Sequence, residues 1–151
     1  MPGRPVDLKP GTILHHARFY VDTATGECKP KFLVLLAPMR GGDWVVRLLT
    51  SRHADKRPQQ PPCYHDDPYP GFYLGVLDPT NGLGKQSWLD LRGLDDADGI
   101  ELTQLLGTGV LSVASALPAD LLKAALACAA GADDTTRAQE KALRDQLETV
   151  G

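Results

Sequence analysis

The run FLVLLA (Phe32 to Ala37), followed by MRGGD and then WVVRLL (Trp44 to Leu49 with Arg47 inside it), constrains the fold more than any other part of the chain. Six consecutive apolar residues leave no polar face, so the first segment reads as a strand buried on both faces or wrapped in a small barrel. Arg40 to Asp43 contains Gly41 and Gly42 and reads as the turn that sends the chain back. Further strands are read at Thr12 to Val21, Phe72 to Leu77 and Ser87 to Leu91, where β-branched and aromatic residues lie between turn clusters. Ile100 to Leu106 reads as either a strand or one short helix, broken by Gly107-Thr108-Gly109.

Two helices follow. The first has Pro118 in its opening turn, Ser115 as a candidate cap, Gly131 as its stop, and Leu121, Leu122, Ala125 and Leu126 at helical spacing. The second opens at Asp133 and Asp134 and carries Leu143 and Leu147. It is charged on most faces, so it either packs weakly or extends away. The expected fold is mainly β with C-terminal helices, an α+β arrangement built on a small barrel or curled sheet. The barrel domain with its closing helix is assigned to 1–131 and a helical extension to 132–151.

With 151 residues and 42% hydrophobic content, the chain is long enough for one domain with a sizeable core. No apolar stretch approaches the ~20 residues of a membrane span, and MPGRPVDLKPG has no apolar signal region. A cytoplasmic protein with no membrane association is expected. Three widely spaced cysteines, Cys28, Cys63 and Cys128, do not suggest a disulfide framework, and Cys128 reads as a small buried hydrophobe. Net charge is −3 but uneven: residues 1–57 hold ten Lys/Arg against five Asp/Glu, and 58–151 hold six against fourteen. Either a basic face stands beside an acidic one, or the signs interleave on folding.

Several motifs are weighed and set aside. GLGK (Gly82 to Lys85) lacks the full phosphate-loop spacing. His53, Cys63, His65, Asp66 and Asp67 include metal-ligating types, but C-Y-H-D-D has no recognised zinc spacing, so neither a metal nor a cofactor is expected. His15 and His16 are adjacent on a strand and point to opposite faces, with Arg18 on the face of His16. The segment Arg52 to Gly71 holds five prolines and no apolar periodicity, and loops of such length are usually functional or mobile. Around it, Tyr64, Tyr69, Phe72 and Tyr73 are either base-stacking residues or anchors of core and loop.

The segments PGTIL, KPKFLVLLAP, VVRLLTS, WLDL and LLGTGVLSVASALPADLLKAALA, in that order, resemble the PemK/MazF toxin superfamily of bacterial toxin–antitoxin systems over roughly residues 10–130. The resemblance implies an SH3-like barrel, a homodimer, and cleavage of single-stranded RNA without metal, with an antitoxin partner that blocks the RNA groove. Active members carry an Arg just before the second strand and a Thr ending the third. Here Lys29 or Lys31 falls at the first position and Thr50 at the second, and Ser51 matches the residue that often follows. Thr12 stands where the family has an acidic residue after Pro-Gly. Arg18, Arg47, Arg52 and His53 are the further residues expected to contact RNA.

Such cleavage uses the 2′-hydroxyl as nucleophile and needs a base, an acid for the leaving oxygen and a cation for the growing phosphate charge. Lys supplies a point charge where Arg would supply a two-pronged grip. The alternative is a non-catalytic barrel that binds nucleic acid or a protein partner in the equivalent groove.

Overall fold

The computed structural model describes residues 8–51, 59–65, 69–81 and 83–150. Seven strands form one antiparallel sheet: β1 (Thr12–Val21), β2 (Cys28–Pro38), β3 (Trp44–Thr50), β4 (Cys63–Tyr64), β5 (Gly71–Gly75), β6 (Ser87–Asp90) and β7 (Leu111–Ala116). Their order is β4-β5-β6-β3-β2-β1-β7. The sheet is open, since among the described residues no ladder joins β4 to β7. Three helices complete an α+β fold: α1 (Gly99–Thr108), α2 (Ala119–Ala130) and α3 (Arg137–Thr149).

The apolar run in β2 is explained by helices on both faces of the sheet. Leu33 and Leu35 join one core with Leu14, Trp44, Val46 and Leu102 of α1. Val34 and Leu36 join the other with Ile13, Val45, Leu126 of α2 and Leu143 of α3. A strand covered on both sides needs no polar face. The β2–β3 turn takes Gly41 to φ 80° and Gly42 to φ 89°, a conformation that side chains with a Cβ disfavour. Register irregularities in β1–β2, β1–β7, β2–β3 and β5–β6 are the sort that bend strands and increase their twist.

Some open readings are resolved here and others are corrected. The ambiguous 100–106 segment is helical: Asp98 caps α1 by accepting hydrogen bonds from the backbone N–H groups of Ile100 and Glu101. Ser115 caps no helix but lies in β7, a strand whose LSVASA sequence has little apolar alternation. The last helix starts later than Asp133-Asp134, at Arg137, because Thr136 and Gln139 form a reciprocal capping box there. Of the two alternatives for this helix, packing is found, since Leu143 is fully buried. The cysteines also depart from expectation: Cys63 and Cys128 form a disulfide with an S–S distance of 2.14 Å, while Cys28 is free and exposed. Among the described residues no helix is long and apolar enough to cross a membrane.

Candidate functional site

The ladder between β2 and β3 runs from Pro38–Trp44 to Leu33–Leu48. Beyond that pair the β2–β3 ladder ends, while β3 stays paired to β6 on its other edge, with Thr50 opposite Trp88. A cleft of about 400 Å³ opens where they part. It is lined by Lys29 and Lys31 from β2 and by Thr50 and Ser51 from the end of β3. All four residues expected to form the catalytic group therefore share one cavity, although two come from β2 and two from the last residue of β3 and the one after it. Tyr20, Phe32 and Lys85 line it too.

Each element fixes its contribution. In β2 the alternation of a strand turns Lys29 and Lys31 the same way. Lys29 is half-buried, with its Nζ 3.4 Å from Glu27 Oε2. The Lys31 ammonium lies 6.0 Å from the centre of the Tyr20 ring, at the outer edge of a cation–π contact. Thr50 is buried and Ser51 exposed, so the pair spans floor and rim. Lys85 enters from the loop before β6. That loop is pinned by the Asp78–Leu83 bridge and by Ser87 Oγ, which donates to the Lys85 carbonyl at 3.1 Å. Three ammonium groups, three aliphatic hydroxyls (Thr50, Ser51 and Ser87) and two aromatic rings make a surface suited to an anionic, ring-bearing ligand.

The other expected RNA contacts do not gather here. Arg18 is exposed on β1 and lies outside the cleft lining; its backbone N–H donates to His16 Nδ1 at 3.2 Å. Arg47 is a correction: it is fully buried beneath α3, where Nη2 donates to Gln139 Oε1 at 3.1 Å and Nη1 to the Val46 carbonyl at 2.7 Å. A guanidinium so enclosed cannot reach a bound strand. Burial pushes its pKa down, and the nearby Asp96, Asp90 and Asp134 carboxylates oppose that shift. Arg52 and His53 lie outside the described residues, as do Asp66 and Asp67.

The aromatics around the Pro-rich segment serve as anchors. Phe72 is in the core, Tyr73 tilts against Trp88 with ring centres 5.0 Å apart, and Tyr69 lies 3.8 Å beneath the Arg92 guanidinium. Tyr64 covers Gly71 so closely that a Cβ there would stand 2.6 Å from its hydroxyl. Of the two histidines, His15 packs edge-on to Phe32 and His16 to Phe19, on opposite sides of β1.

Sequence reasoning missed Tyr20 and Lys85 as cleft residues. Lys85 stands in GLGK, a motif set aside because it lacks the full phosphate-loop spacing, and its cationic character next to a strand start was the available signal. A larger cavity of about 620 Å³ lies between α3 and the β2–β3 turn, lined by residues such as Arg40, Asp96, Lys141 and Asp145. Its charges are of mixed sign, so it offers no focused field to an anion, and the smaller basic cleft is the better candidate.

Comparison with protein-family models, curated proteins and solved structures found no match to this chain.

Proposed function

We propose that this chain is a PemK/MazF-like protein that binds single-stranded RNA in the β2–β3 cleft and cleaves it without metal. The observation that carries this reading is the convergence of Lys29, Lys31, Thr50 and Ser51 on one cavity. In this reading the strongly bulged sheet is an SH3-like barrel. The reaction is attack of a ribose 2′-oxygen on the adjacent phosphorus. The bond from phosphorus to the 5′-oxygen breaks, leaving a 2′,3′-cyclic phosphate and a 5′-hydroxyl. The 2′-hydroxyl loses its proton to a base, and the departing 5′-oxygen takes one up.

Lys31 and Lys29 would hold the non-bridging oxygens as negative charge grows, and Thr50 would donate a hydrogen bond to the same group. Tyr20 and Phe32 would receive flanking bases. A homodimer, an antitoxin that occupies the cleft and a cytoplasmic setting go with this reading. In a reducing cytoplasm the Cys63–Cys128 pair would be held as thiols.

A second reading has its own support. The described lining of the cleft contains lysines and hydroxyls but neither histidine nor carboxylate, so it is better furnished for holding phosphate than for moving protons. On that view the cleft binds nucleic acid and leaves it intact.

One experiment separates the two. Purified protein is incubated with a long single-stranded RNA in EDTA, alongside Thr50→Ala. Discrete fragments ending in cyclic phosphate that disappear in the variant support cleavage at this site. Intact RNA that is nonetheless bound, with binding weakened by Lys31→Ala, supports the binding module. Neither cleavage nor binding would overturn both.

A further inference from the structure

A second group of reactive side chains lies away from the cleft. Cys63 on β4, His65 just after it and Cys128 in the last turn of α2 bring their ligand atoms within 4.8 Å of one another. His65 Nε2 stands 3.7 Å from Cys63 Sγ and 3.9 Å from Cys128 Sγ. In a tetrahedral zinc site, bonds of about 2.3 Å to sulfur and about 2.0 Å to nitrogen set these two ligand atoms roughly 3.6 Å apart. The imidazole nitrogen is therefore already close to metal-sharing distance from both sulfurs.

A second observation points the same way. His65 Nε2 is 3.3 Å from the Cys128 carbonyl oxygen. That carbonyl belongs to the C-terminal turn of α2, where the helix dipole presents its negative end and favours a cation. The donor set is also chemically selective: two thiolates and an imidazole suit zinc-class metals rather than magnesium or calcium. His65 is exposed, which leaves a fourth position accessible to water.

We propose that Cys63, Cys128 and His65 form a zinc site when the disulfide is reduced. Two electrons and two protons from a dithiol break the S–S bond, and the dithiol becomes a disulfide in turn. Zn(II) then takes both sulfurs as thiolates, releasing their two protons to solvent. His65 binds through Nε2 as the neutral imidazole with its proton on Nδ1, giving up its contact with the Cys128 carbonyl. The disulfide and the metal are alternative clamps between β4 and α2, selected by redox state.

The test uses the full chain with Cys28→Ser, which removes the exposed free thiol. Co(II) is titrated into the oxidised and the anaerobically reduced protein. Near-ultraviolet thiolate-to-cobalt charge transfer and the visible bands of tetrahedral Co(II) are recorded, followed by displacement with Zn(II). The expected result is one Co(II) per reduced chain and none for the oxidised chain. His65→Ala should weaken binding by about 100-fold, and His65→Cys should restore it with stronger charge transfer. Because His65 is exposed, these variants should keep the parent's near-ultraviolet circular dichroism. Absence of charge transfer in the reduced parent, or equal affinity in His65→Ala, would overturn the proposal.

Discussion

Arg47 and Gln139 show how one buried polar pair ties a charged helix to the sheet. Gln139 accepts from Arg47 Nη2 and from the Thr136 backbone, each at 3.1 Å. It donates to the Leu94 carbonyl at 3.0 Å and to Asp96 Oδ1 at 2.8 Å. Removing this hub leaves a buried guanidinium short of acceptors, and its Nε already has none among the described residues. Gln139→Ala should therefore cost about 3 kcal/mol in urea unfolding, whereas Arg47→Met, which removes the buried charge itself, should cost less. The reverse order would show that the guanidinium's packing matters more than its desolvation. His16 permits a pH prediction. Burial holds its pKa below the ordinary value, with Glu101 opposing that shift and His15 reinforcing it. The unfolded chain then binds the proton more readily than the native one. Its contribution is fully present above about pH 6.5 and lost as pH falls from there through the lower folded value. His16→Asn should flatten the fall of Tm across that window, and an unchanged slope would assign the acid sensitivity elsewhere.

At the scale of elements, the parting of β2 from β3 makes the cleft, and α1 is held by a close backbone approach. A Cβ on Gly99 would collide with the Gly42 carbonyl, so Gly99→Ala must push α1 away from the β2–β3 turn. The expected outcome is a lowered Tm with earlier hydrogen exchange in α1 than elsewhere. In the cleft, three lysines give a defined salt dependence. If each meets one phosphate, the log–log slope of single-strand affinity against salt should be about −2, and Lys31→Ala should reduce its magnitude by about 0.7. A slope near zero would mean that the cations do not touch the ligand. This site was partly legible in the sequence because Lys29, Lys31 and Thr50 sit at ends of strongly apolar strands, where position along the chain predicts position in space. Tyr20 and Lys85 were not legible, since their arrival depends on how β1 and the loop before β6 bend. The β2–β3 hairpin was readable from apolar continuity. β7 was not, because its exposed Ser112 and Val113 show no clean alternation. Arg47 misled for a related reason: a cation inside an apolar strand reads as a surface residue until α3 supplies the partner that lets it be buried.

Across the whole molecule, the Cys63–Cys128 bond joins β4, one of the two edge strands, to α2 over a sequence separation of 65 residues. Spacing alone could not reveal this pairing, because the two cysteines come together only after α2 folds back over β5. A cross-link over such a span restricts the unfolded chain far more than the folded one, a contribution of about 4 kcal/mol in the chain-entropy account. β4 is only two residues long and, among the described residues, its one ladder is to β5, so that ladder and the cross-link are its main ties to the fold. Reduction should therefore act unevenly: β4 and its flanks should open first, while the doubly covered strands β2 and β3 keep their protection. Hydrogen exchange before and after anaerobic reduction tests this. The expected pattern is faster exchange at 59–65 and 69–75, a lowered Tm, and the same changes in a Cys63→Ser/Cys128→Ser variant without reductant. Zn(II) added to the reduced parent should recover part of the lost Tm by binding the native arrangement preferentially, and should do nothing for the double variant. A uniform loss of protection through β2 and β3 would instead mean that the cross-link supports the whole sheet. The basic cleft would then depend on redox state as well, because Lys29, Lys31 and Thr50 belong to those two strands.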